Sequence, residues 1–234
     1  MADPIIDVRG VRKNYGGLRP LRLAALTVAP GDRLAILGID APAAEILVNL
    51  LTGASLPDEG EVRLFGRATA AISDAGDWMA TLDRIGMVSP RAMLAEELTV
   101  AQGIAMAFTL SLDPIPGPVT ADVARLARDA GLAAGELGMR VSDAGPIVKA
   151  RCRLARALAA APAVLVLEHA NALVPDGAAA FGRDIAALAK ARGMAVVALT
   201  ADEAFAGAVA DKVFAFDAAT GQLKARGGWR AWWR

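Results

Sequence analysis

The sequence has few of the residues on which several kinds of functional site depend. Its 234 residues include one cysteine and one histidine. A single cysteine cannot form an internal disulfide, which favours a reducing compartment. Cys152 and His169 together cannot supply a Cys/His zinc site, and a catalytic triad would have only His169 available. We therefore expect no metal held by protein side chains alone.

The sequence also lacks an excess of positive or negative charge and a long apolar run. The 25 Lys and Arg residues balance the 25 Asp and Glu residues, which argues against nucleic acid as the main partner, because phosphate binding depends on basic patches. Although 55% of the residues are hydrophobic, the longest charge-free stretch before a proline, residues 98–112, is shorter than the ~20 residues of a membrane-spanning helix. It predicts a buried helix instead. The N-terminus lacks a secretory pattern, so we expect a soluble, cytoplasmic protein.

The patterns of apolar residues predict an alternation of strands and helices. Strands are predicted at residues 6–11, 21–28, 33–38, 61–66, 163–167 and 195–200, and helices at 42–51, 146–160 and 177–192. The middle of the chain, residues 72–140, has a mostly helical pattern interrupted by a proline-rich segment. Such an alternation predicts an α/β fold whose core sheet is largely parallel.

One strand, loop and helix have the layout of a phosphate-binding unit. A buried strand ends at Gly38, and a helix follows whose N-terminus faces the intervening loop. When the pattern G-x-x-x-x-G-K-[ST] is placed on Gly38, the second glycine becomes Ala43, the lysine becomes Ala44 and the hydroxyl residue becomes Glu45. With Ala41, these positions form a candidate nucleotide loop whose chemistry has degenerated.

Each of these differences removes a physical requirement of phosphate binding. Alanine lacks the backbone freedom of glycine, and Pro42 removes one N–H donor. Loss of the lysine removes a contact of about 1.5–3 kcal/mol. A carboxylate at Glu45, about 4 Å from a phosphate charge, would cost about 4 kcal/mol at an effective dielectric of 20. We expect Glu45 to stabilise the positive end of its own helix instead.

Over residues 6–223 the order of short motifs resembles the nucleotide-binding subunit of ATP-binding cassette (ABC) transporters. The segments that carry the resemblance are residues 13–17 (KNYGG), 31–38 (GDRLAILG), 50–53 (LLTG), 57–62 (PDEGEV), 84–88 (RIGMV), 98–100 (LTV), 154–158 (LARAL) and 164–168 (VLVLE). The resemblance implies a P-loop NTPase-like ABC ATPase fold. That fold has a mostly parallel core sheet, an antiparallel β subdomain and a helical subdomain, here at about residues 72–140.

The resemblance also implies where the family's site residues should lie, and most are replaced. Tyr15 matches the aromatic residue that stacks on adenine, and Glu168 matches the glutamate that polarises the attacking water. At five other positions this chain differs from the family. Pro90 replaces the family's glutamine, residues 144–148 (AGPIV) replace its signature L-S-G-G-Q, and Leu167 replaces its magnesium-linked aspartate. Val174 replaces the aspartate of the next loop, and Ala201 replaces the family's histidine. Shifting the signature to residues 141–145 would require an insertion, and a helix start with Ser142 or Asp143 near the cap explains those residues more simply.

Glu168 is the one remaining candidate catalytic residue. A glutamate at the end of a buried strand could act as a general base. Phosphoryl transfer depends on positioning and charge neutralisation, and the residues that would supply both are missing. We therefore expect Glu168 to be vestigial, bridging or capping neighbouring loops. No cofactor is expected, with ATP and Mg²⁺ required only where the family activity survives.

These observations lead to three functional hypotheses. The first is a degenerate ABC-type subunit with a structural or regulatory role that docks a transmembrane permease or a second ABC ATPase subunit. It would lie at the inner face of the membrane through that partner. The second is a true ATPase with an unconventional loop and Glu168 as base, and the third is a stand-alone interaction or ligand-sensing module. Residues 1–223 are expected to form one domain, followed by a Trp/Arg-rich tail at residues 224–234 that could pack on the domain or contact a membrane or partner.

Two further segments have alternative interpretations. The apolar stretch at residues 97–112 is a candidate docking surface for the permease, or ordinary core. The basic residues of the helix at 146–160 could bind an anion, although we expect a solvated flank.

Overall fold

The computed structural model describes residues 3–17 and 19–226. Its ten strands in this part of the chain are β1 Ile6–Lys13, β2 Leu21–Val28, β3 Arg33–Leu37, β4 Glu59–Leu64, β5 Arg67–Ala68, β6 Ile85–Val88, β7 Val164–Glu168, β8 Ala195–Thr200, β9 Lys212–Asp217 and β10 Gln222–Ala225. The α-helices are α1 Ala41–Leu51, α2 Ala75–Leu82, α3 Val100–Ala105, α4 Gly117–Asp129, α5 Pro146–Ala157, α6 Ala178–Arg192 and α7 Glu203–Val209.

The strands form two sheets. The larger has the order β10-β9-β3-β8-β7-β6, in which every neighbouring pair is parallel except β10 with β9. The smaller sheet is antiparallel and has the order β2-β1-β4-β5. The expected combination of a mostly parallel core sheet and an antiparallel β subdomain is therefore confirmed.

The larger sheet is covered on both faces, and β3 illustrates why. Its alternate residues Ala35 and Leu37 belong to the core that includes buried residues of α3 to α7. Leu34 and Ile36, which point the other way, belong to the core shared with α1 and the antiparallel sheet. A strand covered on both faces has a continuous apolar sequence, as residues 33–37 do.

The helical region differs from the prediction in two places. Residues 85–88 form β6, which lies at the edge of the larger sheet and interrupts the predicted helical segment 72–140. The helix predicted at 98–112 begins with a capping box between Thr99 and Gln102 but ends at Ala105. The chain after the helix folds back, so that Gln102 donates to the carbonyl of Leu112 at 3.1 Å. Other predicted boundaries agree within a few residues.

The last described strand ends beyond the expected boundary between the domain and its tail. Strand β10 continues to Ala225, so the sheet extends two residues beyond the predicted domain end at residue 223. The cluster Trp229, Trp232 and Trp233 lies outside the described residues. Within the described residues, no helix combines the length and apolarity required to cross a membrane.

Candidate functional site

The loop after β3 is short, and the helix after it begins early. Only Gly38, Ile39 and Asp40 separate β3 from α1. Gly38 has φ 87°, a left-handed conformation that favours glycine, and Ile39 is buried. The helix therefore already includes Ala43 and Ala44, the positions at which the phosphate-binding pattern requires glycine and lysine. Both side chains are buried among apolar residues.

The N-terminus of α1 is capped by Asp40. One carboxylate oxygen of Asp40 accepts from the N–H of Ala43 at 2.8 Å, and its carbonyl oxygen accepts from Ala44 at 2.9 Å. An aspartate at this position satisfies donors that a helix leaves free at its N-terminus. The prediction that Glu45 would do so is wrong. Glu45 lies one turn into the helix, and its side chain extends to Arg91.

A single guanidinium group joins Glu45 to Glu168. Arg91 Nη1 lies 2.9 Å from Glu45 Oε1, and Arg91 Nη2 lies 2.9 Å from Glu168 Oε2. Arg91 Nε is 3.0 Å from both carboxylate oxygens of Glu168. The fork of an arginine can bind carboxylates in this way because its donors lie in one plane. We call these three residues the Glu45–Arg91–Glu168 bridge.

Ser89 completes the bonding of Glu168. Its hydroxyl donates to Glu168 Oε2 at 2.6 Å and accepts from the N–H of Arg91 at 3.0 Å. The side chain of Glu168 is only 5% exposed, so its charge depends on these partners. The expectation that Glu168 bridges neighbouring loops agrees with these contacts. Its catalytic or vestigial status stays a prediction.

Tyr15 lies beside a cleft at the same end of the sheet. The cleft has a volume of about 470 Å³, and its lining includes Tyr15, Gly38, Asp40 and Phe216. The ring of Tyr15 lies so close to Gly17 that a Cβ there would come within 2.9 Å of it. The turn is held by Asp58, whose carboxylate accepts from the backbone N–H of Asn14 at 2.7 Å. Tyr15 and the α1 loop, but not Glu168, therefore line one cleft.

Two of the remaining positions of the resemblance, Pro146 and Leu167, lie at the start of α5 and in the core. Pro146 begins α5, where a missing N–H costs least, and Gly145 is the N-cap without a side-chain bond. The interpretation of Ser142 or Asp143 as the cap of this helix is therefore wrong. Leu167 is fully buried, and Ala201 is followed by Asp202, which caps α7 by accepting from Phe205.

His169, which follows Glu168, has an unusual backbone conformation. Its φ is 43°, and its N–H donates to the carbonyl of Leu199 at 2.8 Å. A proline, with φ near −65° and no N–H, would fit neither condition. The ring nitrogen Nε2 is buried without a hydrogen-bond partner. A proline at position 169 would therefore be incompatible with this backbone conformation and with the bond to Leu199.

The arginines of α5 hold the segment that carries Arg91. Arg153 donates to the carbonyl of Ala92 at 2.8 Å, and Arg156 donates to that of Met93 at 3.0 Å. Burial lowers the pKa of Arg153. These side chains are partly buried structural donors, so the expectation of a solvated flank is wrong for them.

Sequence reasoning missed three residues of this site: Asp40, Ser89 and Arg91. Asp40 could have been found, since an aspartate before a helix is a common N-cap. No local pattern marks Ser89 or Arg91, because Arg91 is 46 residues from Glu45 and 77 from Glu168. In the described part of the chain, no group of three or more His, Cys, Asp or Glu residues could hold a metal ion.

The chain is similar in sequence to curated ATP-binding proteins of bacterial importers. It is 29% identical to ribose import ATP-binding protein RbsA 2 of Rhizobium etli over 221 residues, covering 92% of this chain and 42% of the relative. It is 31% identical to methionine import ATP-binding protein MetN of Caulobacter vibrioides over 217 residues, covering 92% of this chain and 64% of the relative. The chain thus spans 42% and 64% of the lengths of these two relatives. No protein-family model matches it.

Solved structures show the same fold. The cbiO1 protein of Clostridium perfringens, described as part of an ABC transporter complex, superimposes with a TM-score of 0.77 at 21% identity, covering 94% of this chain and 87% of that one. The cassette MJ0796, solved as a dimer with ADP and phosphate, gives 0.72 at 19% identity, covering 95% and 99%. By its sequence similarity to importer ATP-binding proteins and by its fold, the chain belongs to the ABC family of nucleotide-binding subunits.

Proposed function

We propose that this chain is a catalytically degenerate ABC subunit with a structural or regulatory role, and that it docks a permease or a partner ATPase. The observation that carries the proposal is that side chains of the chain itself already bond to the groups with which MgATP would have to interact. Asp40 takes the N–H of Ala43, and Arg91 pairs with Glu45 and Glu168. The residues present do not fit a magnesium-bound triphosphate.

Charge supports the same conclusion. Asp40, Glu45 and Glu168 contribute three negative charges near the start of α1. Arg91, together with Arg19 in the lining of the cleft, contributes two positive charges, which leaves one negative charge. A triphosphate adds more negative charge to a site that has no lysine. At about 4 Å and an effective dielectric of 20, each unscreened like-charge pair costs about 4 kcal/mol. We therefore infer that the chain does not hydrolyse ATP.

The docking part of the proposal is supported by exposed apolar side chains in the helical region. Met93 is 80% exposed and Leu110 is 88% exposed, and Met106 and Phe108 are also exposed. They lie in the two segments that flank a groove of about 230 Å³ lined by Met87, Ala92 and Ala107. The apolar stretch at residues 97–112 thus divides into a buried half in α3 and an exposed half after it. Exposed apolar surface of this kind is typical of interaction sites.

A second candidate function, ATP binding by an unconventional loop, is favoured by one feature. The cleft between Tyr15 and Gly38 has space for a nucleobase. If MgATP binds there, a concentration of 100 times Kd should stabilise the protein by about 2.7 kcal/mol. At about 2–4 °C per kcal/mol for a chain of this size, the melting temperature would rise by about 5–10 °C.

The experiment is a thermal-shift titration with MgATP combined with a phosphate-release assay. We expect neither a shift nor phosphate release above a no-protein blank. A shift that Tyr15→Ala abolishes would overturn the proposed loss of nucleotide binding, and phosphate release that Glu168→Gln abolishes would overturn the proposed loss of catalysis. For docking, a permease encoded beside this gene should co-purify with the wild type and be lost with Leu110→Asp.

A further inference from the structure

The segment at residues 89–93, which follows β6, is bonded both to the candidate site and to α5. Toward the candidate site, the Arg91 side chain contacts Glu45 in α1 and Glu168 at the end of β7. Toward α5, the carbonyl groups of Ala92 and Met93 accept from Arg153 and Arg156. The segment therefore connects the candidate site to the groove whose lining includes Met87, Ala92 and Arg153.

The bonds on the site side form a closed set. The N–H of Arg91 donates to Ser89 Oγ, the hydroxyl of Ser89 donates to Glu168, and the guanidinium of Arg91 returns to the same carboxylate. Glu168 is nearly buried, whereas Arg91 is 44% exposed. Among the described residues, Arg91 is the cation that contacts both carboxylates of the bridge. It belongs to the segment itself.

We propose that Arg91 acts as an internal cation that holds residues 89–93 against α1 and β7, so that the groove keeps one shape with or without nucleotide and magnesium. The inference rests on the proposed function, in which this site takes no MgATP, and it adds how the docking surface is maintained. Two carboxylates on separate elements would repel each other without a cation between them. Arg91 provides that cation on the segment that must be held.

The test is hydrogen–deuterium exchange of the full chain, followed in peptides that cover residues 89–94. The N–H groups of Arg91 and Ala92 are both hydrogen-bonded, so their exchange reports whether the segment is held. For the wild type, we expect the same exchange in EDTA, in Mg²⁺ and in MgATP. For Arg91→Ala, we expect exchange of these peptides to accelerate at least about tenfold, since the charge of Glu168 loses its partner.

A matched control is available on α4. Arg125 is 47% exposed and also contacts two carboxylates, those of Asp122 and Asp129. Unlike Glu168, both of these carboxylates are substantially exposed. Arg125→Ala should leave exchange at residues 89–94 within about twofold of the wild type, because surface ion pairs contribute little. Arg91→Lys keeps the charge but loses the fork, so we expect an intermediate rate.

Two results would overturn the inference. One is exchange in Arg91→Ala that equals the Arg125→Ala control, and the other is wild-type protection that appears only with Mg²⁺ or MgATP. If Arg91→Ala does not fold, Glu45→Ala removes one contact of Arg91 at a partly exposed position, and unchanged exchange in that variant is equally contrary. A different result would refute the proposed function alone. If the wild type hydrolyses ATP but the peptides at residues 89–94 exchange equally slowly in EDTA and in MgATP, the role of Arg91 stands.

Discussion

The energetic coupling between Arg91 and Glu168 can be measured with a double-mutant cycle. Removal of one partner of a fully buried ion pair costs about 3–5 kcal/mol, because the other charge is left uncompensated. Glu168 meets that condition at 5% side-chain exposure, but Arg91 does not at 44%. Ser89 also continues to donate to Glu168 in the variant. We therefore expect Arg91→Ala to lower the free energy of unfolding by about 2–3 kcal/mol.

Glu168→Gln provides the second edge of the cycle. The amide can still accept from Ser89, and no buried charge remains when Arg91 is then removed. We expect the double variant Arg91→Ala/Glu168→Gln to be little less stable than Glu168→Gln alone, which gives a coupling energy of about 1.5–2 kcal/mol. An ordinary exposed pair couples by only about 0.2–1 kcal/mol.

The assay is urea unfolding followed by circular dichroism, with stabilities compared at equal m-values. The Arg125→Ala variant serves again as control and should change stability by less than about 1 kcal/mol. A coupling energy below about 0.5 kcal/mol, or an Arg91→Ala variant as stable as the control, would refute the argument that Arg91 neutralises a buried carboxylate.

Four further predictions concern single sites. Asp40→Ala removes the cap bond to Ala43 and should cost about 1 kcal/mol by urea unfolding, whereas Asp40→Asn, which can still accept this bond, should cost about half as much or less; equal losses would contradict the capping role. Burial raises the pKa of the Cys152 thiol to about 11, so labelling by a thiol reagent at pH 8 should be about 100-fold slower in the native protein than in urea, and equal rates would show that the thiol is accessible. The backbone N–H of Asn14 and the ammonium of Lys13 hold the pKa of Asp58 below its usual value. This carboxylate therefore stabilises the fold above about pH 4, and the effect disappears as the pH falls through its native pKa. The difference in urea midpoint between the wild type and Asp58→Asn should shrink from pH 5 to pH 2, and a constant difference would contradict this role of Asp58. His169→Pro should cost about 3 kcal/mol in thermal or urea unfolding because it removes the N–H bond to Leu199 and excludes φ 43°, and His169→Asn, which tolerates that φ, should be close to wild type; similar stability of the two would be contrary.

Local patterns predicted those parts of the fold whose burial is continuous or periodic. Strand β8 was predicted at residues 195–200 and occupies those residues, since a fully buried parallel strand has an uninterrupted apolar sequence. The helix predicted at 98–112 was too long. Apolar composition alone does not show that Gln102 bonds to Leu112 and that Met106 and Leu110 face solvent.

The candidate site could be predicted only in part, for a related reason. The strand, Gly38 and helix were predictable because they are adjacent in sequence. The partner of Glu45 was not, because Arg91 reaches it from the segment after β6, and the α/β topology alone determines that this segment ends beside α1 and β7. Sequence reasoning therefore assigned Glu45 to the nearest positive charge it could identify, the N-terminus of its own helix.

Two of the residues that sequence reasoning missed, Asp40 and Arg91, carry opposite charges and neutralise opposite charges. The partial positive charge at the start of α1 is met by the carboxylate of Asp40, and the negative charges of Glu45 and Glu168 are met by the guanidinium of Arg91. In a phosphate-binding loop both are the tasks of a ligand, since the phosphate provides the anion and the metal ion the cation. Because this chain carries both charges on its own side chains, restoring Ala44→Lys and Glu45→Ser alone should not restore tight MgATP binding. Asp40 would still hold the helix N-terminus, and Arg91 would still pair with Glu168. A thermal shift of about 5 °C or more with MgATP in that double variant would show that the missing lysine and hydroxyl, and not the internal ion pairs, are what limit nucleotide binding.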